Sequence, residues 1–217
     1  MRKLIAIWCL GLATSAFAQP AAPAKPPAKA APAKPATPAK PAEPAKPAEP
    51  PPKVTVAMIM DRQLSALERE FVPAAEAMPD NKFNFAPSPT QGEFKGVRTF
   101  ALQVKHVAHT NYVIFSGLLG EKLPPNLDPK QDNGPDAMTA KADIIKFLKD
   151  SFALGHRAMN AMSEATLTER LSDPSGNPGP SRLGAASLSL WHSFDHYGQM
   201  VEYLRMNGIV PPASRQP

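Results

Sequence analysis

The stretch LWHSFDHYGQMVEYLRMNG, Leu190 to Gly208, holds no proline and closes on Asn-Gly, a pair suited to a left-handed helix cap. Leu190, Phe194, Tyr197, Val201 and Leu204 recur at spacings of four, three, four and three, so they form one stripe of a helix beginning near Arg182. His192 and His196 fall about 140° from the centre of that stripe by helical rotation. Their own face also carries Ala185, Leu188, Met200 and Tyr203. A helix apolar on two faces is buried on more than one side, which places it inside a helical assembly rather than on its surface.

Three further segments read the same way. The first runs from about Val56 to Met78, with Met60, Leu64, Leu67 and Phe71 on one stripe and Pro73 expected to kink or end it. After a Pro-, Asn- and Gly-rich loop, the second spans about Val97 to Leu119 and stops at Gly120. Its core stripe is Phe100, Val104, Val107, Ile114 and Leu118. The third runs from about Pro135 to Ala165, with Ile144, Leu148, Phe152, Met159 and Met162 aligned. No convincing strand alternation occurs, so the fold class expected is all-α, a four-helix bundle over residues 54–217.

Helix two repeats the pattern of helix four, because His106 lies on a second face with Leu102, His109 and Val113. Two such faces brought together supply three imidazoles, enough to hold one divalent ion and leave positions open for water or substrate. The spacing of His192 and His196 puts both rings on one side of the helix. Alone, that pair reads either as ligands or as two ordinary side chains. Ser193-Phe194-Asp195 fills the gap, so the H-E-x-x-H pattern of zinc proteases is absent. His156 sits at the border of the third helix's stripe and reads as structural or solvent-facing. Trp191 and Tyr197 are expected to pack between helices, and Asp195 to be a surface or inter-helix salt-bridge partner, with a bond to the outer nitrogen of a histidine as the lesser alternative.

Three blocks carry a family resemblance: GEFKGVRTF (Gly92–Phe100), VKHVAHTNY (Val104–Tyr112) and HSFDHYGQMVEYLRMNGIVPPAS (His192–Ser214). Together they closely resemble the DinB-like family of four-helix-bundle metalloproteins, over nearly all of Val54 to Ser214. The resemblance implies that His106, His192 and His196 bind a divalent metal, commonly nickel or zinc, with His109 an outer or surface residue. It also implies relatives that use low-molecular-weight thiols, and frequent dimerisation.

The remaining sequence concerns address and reach. Residues 1–18 join a basic start to the apolar run LIAIWCLGLA and an Ala-Phe-Ala cleavage site, the pattern of a secretory signal peptide. The lone cysteine, Cys9, lies inside it, so a cleaved chain has no thiol for a disulfide, a metal or a nucleophile. Residues 19–53 are almost wholly Pro, Ala and Lys, with PAKPAEP twice in succession, and read as a disordered spacer. The pI near 9.4 belongs to these segments. Eight of the 24 Lys and Arg but only 2 of the 19 Asp and Glu precede Val54, so the rest carries 16 against 17, net −1. That balance argues against a nucleic-acid partner, while the basic spacer suits weak contact with cell wall or membrane surface. The expectation is a periplasmic or secreted metal-binding protein, either a metal-dependent hydrolase or transferase acting on a small molecule or a non-catalytic envelope binding protein.

Overall fold

The computed structural model describes residues 52–172 and 178–215; the expected signal peptide and all but the last two residues of the spacer lie outside them. Four α-helices dominate: α1 Val56–Ala77, α2 Phe100–Leu119, α3 Lys141–Asn160 and α4 Arg182–Met206. Side chains set three of the starts. Thr55, Thr99 and Ser181 each accept a hydrogen bond from a backbone N–H in the first turn, worth about 1 kcal/mol apiece. Thr99 explains why α2 starts three residues later than the expected Val97. Its next two N–H groups, of Phe100 and Ala101, are bonded by the carbonyls of Phe85 and Phe83.

The other helix expectations need smaller corrections. Pro73 does not end α1, which runs four residues further; one N–H is lost near the end, while Val72, Ala74 and Ala75 stay buried. Helix α3 is shorter than 135–165 at both ends, starting only after Ala140 and closing at Ala161. A short antiparallel pair, β1 Arg170–Ser172 with β2 Pro178–Ser181, adds strand where none was expected. It is too short and too polar for alternation to reveal it.

The packing fixes the topology. Helix α2 lies against α3 and α4, and α1 against the same two, so α1 and α2 are diagonal. Contacts between Arg98 and Tyr203, Gln103 and His196, and Arg182 and Leu118 make α2 and α4 antiparallel. By contrast α2 and α3 run parallel: Tyr112 stacks on Phe147, and Arg157 pairs with Glu121. Parallel neighbours need a long crossover. The segment from Gly120 to Ala140 is that crossover, and it returns across the outer face of α2. Lys105 Nζ donates to Pro135 O at 2.7 Å, and Leu127 is buried. Consequently α2 is buried on every side from Gln103 to His109.

The core is built from the expected stripes of α1 and α3, all nine residues of the two stripes lying at most 7% exposed. Each large side chain so buried contributes about 1.5–3 kcal/mol. Gly155 lets α3 approach closely, since a Cβ there would lie 2.6 Å from Phe115 Cε2 and 2.8 Å from Leu64 Cδ2. On α4 the expected face is displaced. Of the expected stripe Leu190 and Leu204 are buried, but Phe194 is 40% exposed and Tyr197 and Val201 are only partly buried, whereas Ala185, Ser189, Ser193, His196, Met200 and Tyr203 are buried. Small Ala and Ser side chains let α4 pack closely along the face that carries His196. That face, together with Leu190 and Leu204, is the core side, and the middle of the expected stripe is turned away from it.

Candidate metal centre

Antiparallel packing sets one turn of α2 opposite two turns of α4, and His106, His192 and His196 meet across the seam. One nitrogen from each lies within 4.8 Å of the others. The ring centroids are 4.6–4.9 Å apart, and His106 Nε2 is 3.0 Å from His192 Nε2. His106 and His196 are buried and His192 partly so.

The nitrogens facing away from this point are held by the protein. His106 Nδ1 donates to the carbonyl of Asp132 on the crossover. A carbonyl only accepts, so this bond puts the proton on Nδ1 and leaves Nε2 with a bare lone pair. His196 Nδ1 faces Gln103 Oε1 at 2.5 Å. His192 Nδ1 is buried without a partner among the described residues. The crossover is itself clamped: Arg98 pairs with Asp132 and donates through Nε to Asn133 Oδ1 at 2.7 Å. The carboxylate of Asp132 comes within 3.4 Å of His106 Nδ1.

The electrostatics favour neutral rings. Burial, then the neighbouring His106, pushes His192 down to about 4. Burial, then His192 and His106, pushes His196 down to about 3. Burial also lowers His106, against the raising effect of its bond to Asp132 O. With His106 protonated on Nδ1, its bare Nε2 can accept a hydrogen bond from His192 Nε2 at 3.0 Å in the metal-free protein, and a cation at the meeting point would take that proton's place. A separation of 3.0 Å between two donor atoms suits ligands about 2.0–2.1 Å from a common ion. The donor set therefore fits a borderline divalent metal.

A family model described as the DinB superfamily matches residues 63–200. The chain belongs to the DinB superfamily. No curated protein matches it. The matched span begins in α1 and ends in α4, so it includes all three histidines.

Other singled-out residues fall elsewhere. His109 is 3% exposed beneath Gly134 of the crossover, with both ring nitrogens unpartnered among the described residues. It is a buried residue outside the cluster, not a surface one. His156 lies at the α1–α3 corner, bonded to Asp61 and Glu68. Tyr197 packs against Phe71 at 6.3 Å, but Trp191 is 61% exposed, contrary to the expectation that it packs between helices. The displaced core face of α4 turns it outward. Asp195 is exposed and accepts from Gln199. Gln103, Arg98, Asp132 and Gln199 escaped sequence reading, because polar residues carry no periodic signal and Asp132 acts through its backbone.

A cavity of about 660 Å³ continues the same seam toward the start of α4. Val113 and Gly117 line it on the α2 face that bears His106, and Leu188 and Ala185 on the α4 face that bears His192. Leu188 is one turn from His192, so the cavity adjoins the cluster without containing it. Arg170 and Arg182 stand at its far end with Leu171 and Leu123 along the wall.

Proposed function

We propose that this DinB superfamily protein is an exported metalloprotein that binds one nickel or zinc ion through His106, His192 and His196 and performs hydrolase or transferase chemistry on a small molecule. The observation that carries the reading is the approach of two imidazole Nε2 atoms to 3.0 Å, with the opposite nitrogen of His106 already committed to a carbonyl. A bound divalent ion supplies Lewis acidity and lowers the pKa of a coordinated water. The protein's contribution is to keep three rings neutral, aim them at one point and exclude bulk water from two of them. The adjoining cavity offers space for the body of a substrate, with apolar walls and arginines at the far end.

Elemental analysis of protein purified without an affinity-tag metal, followed by titration of nickel and zinc, tests this reading. The expected result is one ion per chain, lost in His192→Ala. Failure of the unaltered protein to take up either metal would sink it.

A further inference from the structure

Gln103 is 1% exposed, and both ends of its amide are engaged. Its Oε1 faces His196 Nδ1 at 2.5 Å, and its Nε2 donates to Gln199 Oε1 at 2.7 Å. Gln199 Nε2 donates to Asp195 Oδ2 at 3.0 Å, one turn back on α4. The direction of this row follows from its outer end. An ionised carboxylate accepts and never donates, so Gln199 must turn its NH2 to Asp195 and its carbonyl to Gln103. That carbonyl only accepts, so Gln103 gives it an NH2 and presents its own carbonyl to His196. A carbonyl opposite Nδ1 requires the proton on Nδ1. His196 Nε2 is then bare and points toward the cluster.

Reversing either amide sets donor against donor or acceptor against acceptor. Gln103 and His196 are both buried, so water does not replace the lost bond, and the mismatch is costly. We infer that Asp195, Gln199 and Gln103 are positioning residues: an exposed carboxylate, acting through two amides, fixes the tautomer of a buried imidazole and holds its Nε2 as a metal ligand. His192 is the internal contrast, because no described residue bonds its Nδ1. The consequence for metal affinity rests on the metal reading above; the consequence for the tautomer does not.

The test is nitrogen-15 NMR of metal-free protein with labelled histidine at pH 7.5, which distinguishes Nδ1–H from Nε2–H rings, paired with nickel titration. His196 is expected as Nδ1–H. Gln103→Leu removes the acceptor, so the ring is expected to become a mixture and nickel affinity to fall about 10–100-fold. Gln103→Glu keeps an acceptor and should restore both readouts. Asp195→Lys is the sharper variant, since it replaces an acceptor by a donor at an exposed position and should reverse the row, moving His196 toward Nε2–H. A merely structural cross-link between α2 and α4 predicts no such reversal. An Nε2–H ring in the unaltered protein, or a tautomer indifferent to both Gln103→Leu and Asp195→Lys, overturns the proposal. If the tautomers behave as expected but nickel does not bind, the metal reading fails and the relay stands.

Discussion

At the α2–α4 corner three imidazoles turn nitrogens toward one point with no carboxylate between them, whereas at the α1–α3 corner His156 is enclosed by carboxylates. His156 Nδ1 lies 2.6 Å from Asp61 Oδ1 and Nε2 lies 2.9 Å from Glu68 Oε2. Carboxylates only accept, so both ring nitrogens carry protons. Burial alone would lower its pKa, but the hydrogen bonds and charges of Asp61 and Glu68 outweigh burial and raise it. Across the bundle, burial and mutual repulsion lower all three clustered histidines. One residue type thus serves as a cation with no lone pair to give and as a neutral donor with one. The neighbours decide which: carboxylates in the first case, carbonyls and other imidazoles in the second.

Removing one ring from each corner breaks the comparison most directly. His192→Ala leaves two of the three proposed ligands, so nickel or zinc affinity should fall by more than the roughly 10–100-fold typical of losing an outer partner. His156→Leu should leave metal affinity unchanged. Thermal unfolding with and without added metal checks both, since an ion bound only by the folded state raises the midpoint. The shift should vanish in the first variant and persist in the second.

The next largest effect is on packing. Gly155→Ala would place a methyl 2.6 Å from Phe115 Cε2 of α2 and 2.8 Å from Leu64 Cδ2 of α1, the second across the α1–α3 contact that His156 also ties together. Overpacking of this kind costs about 1–3 kcal/mol. His156→Leu should cost less, toward the lower end of about 1–3 kcal/mol, because Asp61 and Glu68 are left without their partner but retain partial contact with water. Urea unfolding of the two variants checks the order. A larger loss for His156→Leu would mean that the ion pair, and not close packing, holds α1 to α3.

These corners also show what the sequence makes legible. The stripes of α1 and α3 are strictly periodic and face one core, so period alone identifies their buried residues. Helix α4 is different: its largest apolar residues, Phe194 and Trp191, are exposed, while Ala185, Ser189 and Ser193 line the close contact. Side-chain size marks a core where there is room, and small size marks one where helices approach closely, so the large residues in the middle of the stripe pointed away from the core while Leu190 and Leu204 at its ends are buried. The three clustered histidines were legible through spacing and family resemblance despite that error. Their supports were not, because Gln103 acts from another helix, Asp132 through a carbonyl, and Arg98 by holding a crossover whose path depends on the parallel packing of α2 and α3.

The smallest predicted effect, and the one that separates the corners by sign, is the pH dependence of stability in metal-free protein. Unfolded histidine titrates near 6.5. The clustered rings have folded values below that, so between about 6.5 and the values near 4 and 3 the unfolded chain binds more protons than the folded one. Their contribution to stability is present above about 6.5 and is lost as pH falls through that window. His156 has a folded value above 6.5. Its contribution is fully present below about 6.5 and is lost as pH rises through the folded value. The unaltered protein should therefore lose stability toward both acid and alkali, His156→Gln should lose the alkaline limb alone, and His196→Gln should weaken the acid limb. Denaturant midpoints measured from pH 4 to 9 check this, and an alkaline limb that survives His156→Gln would assign it to another group.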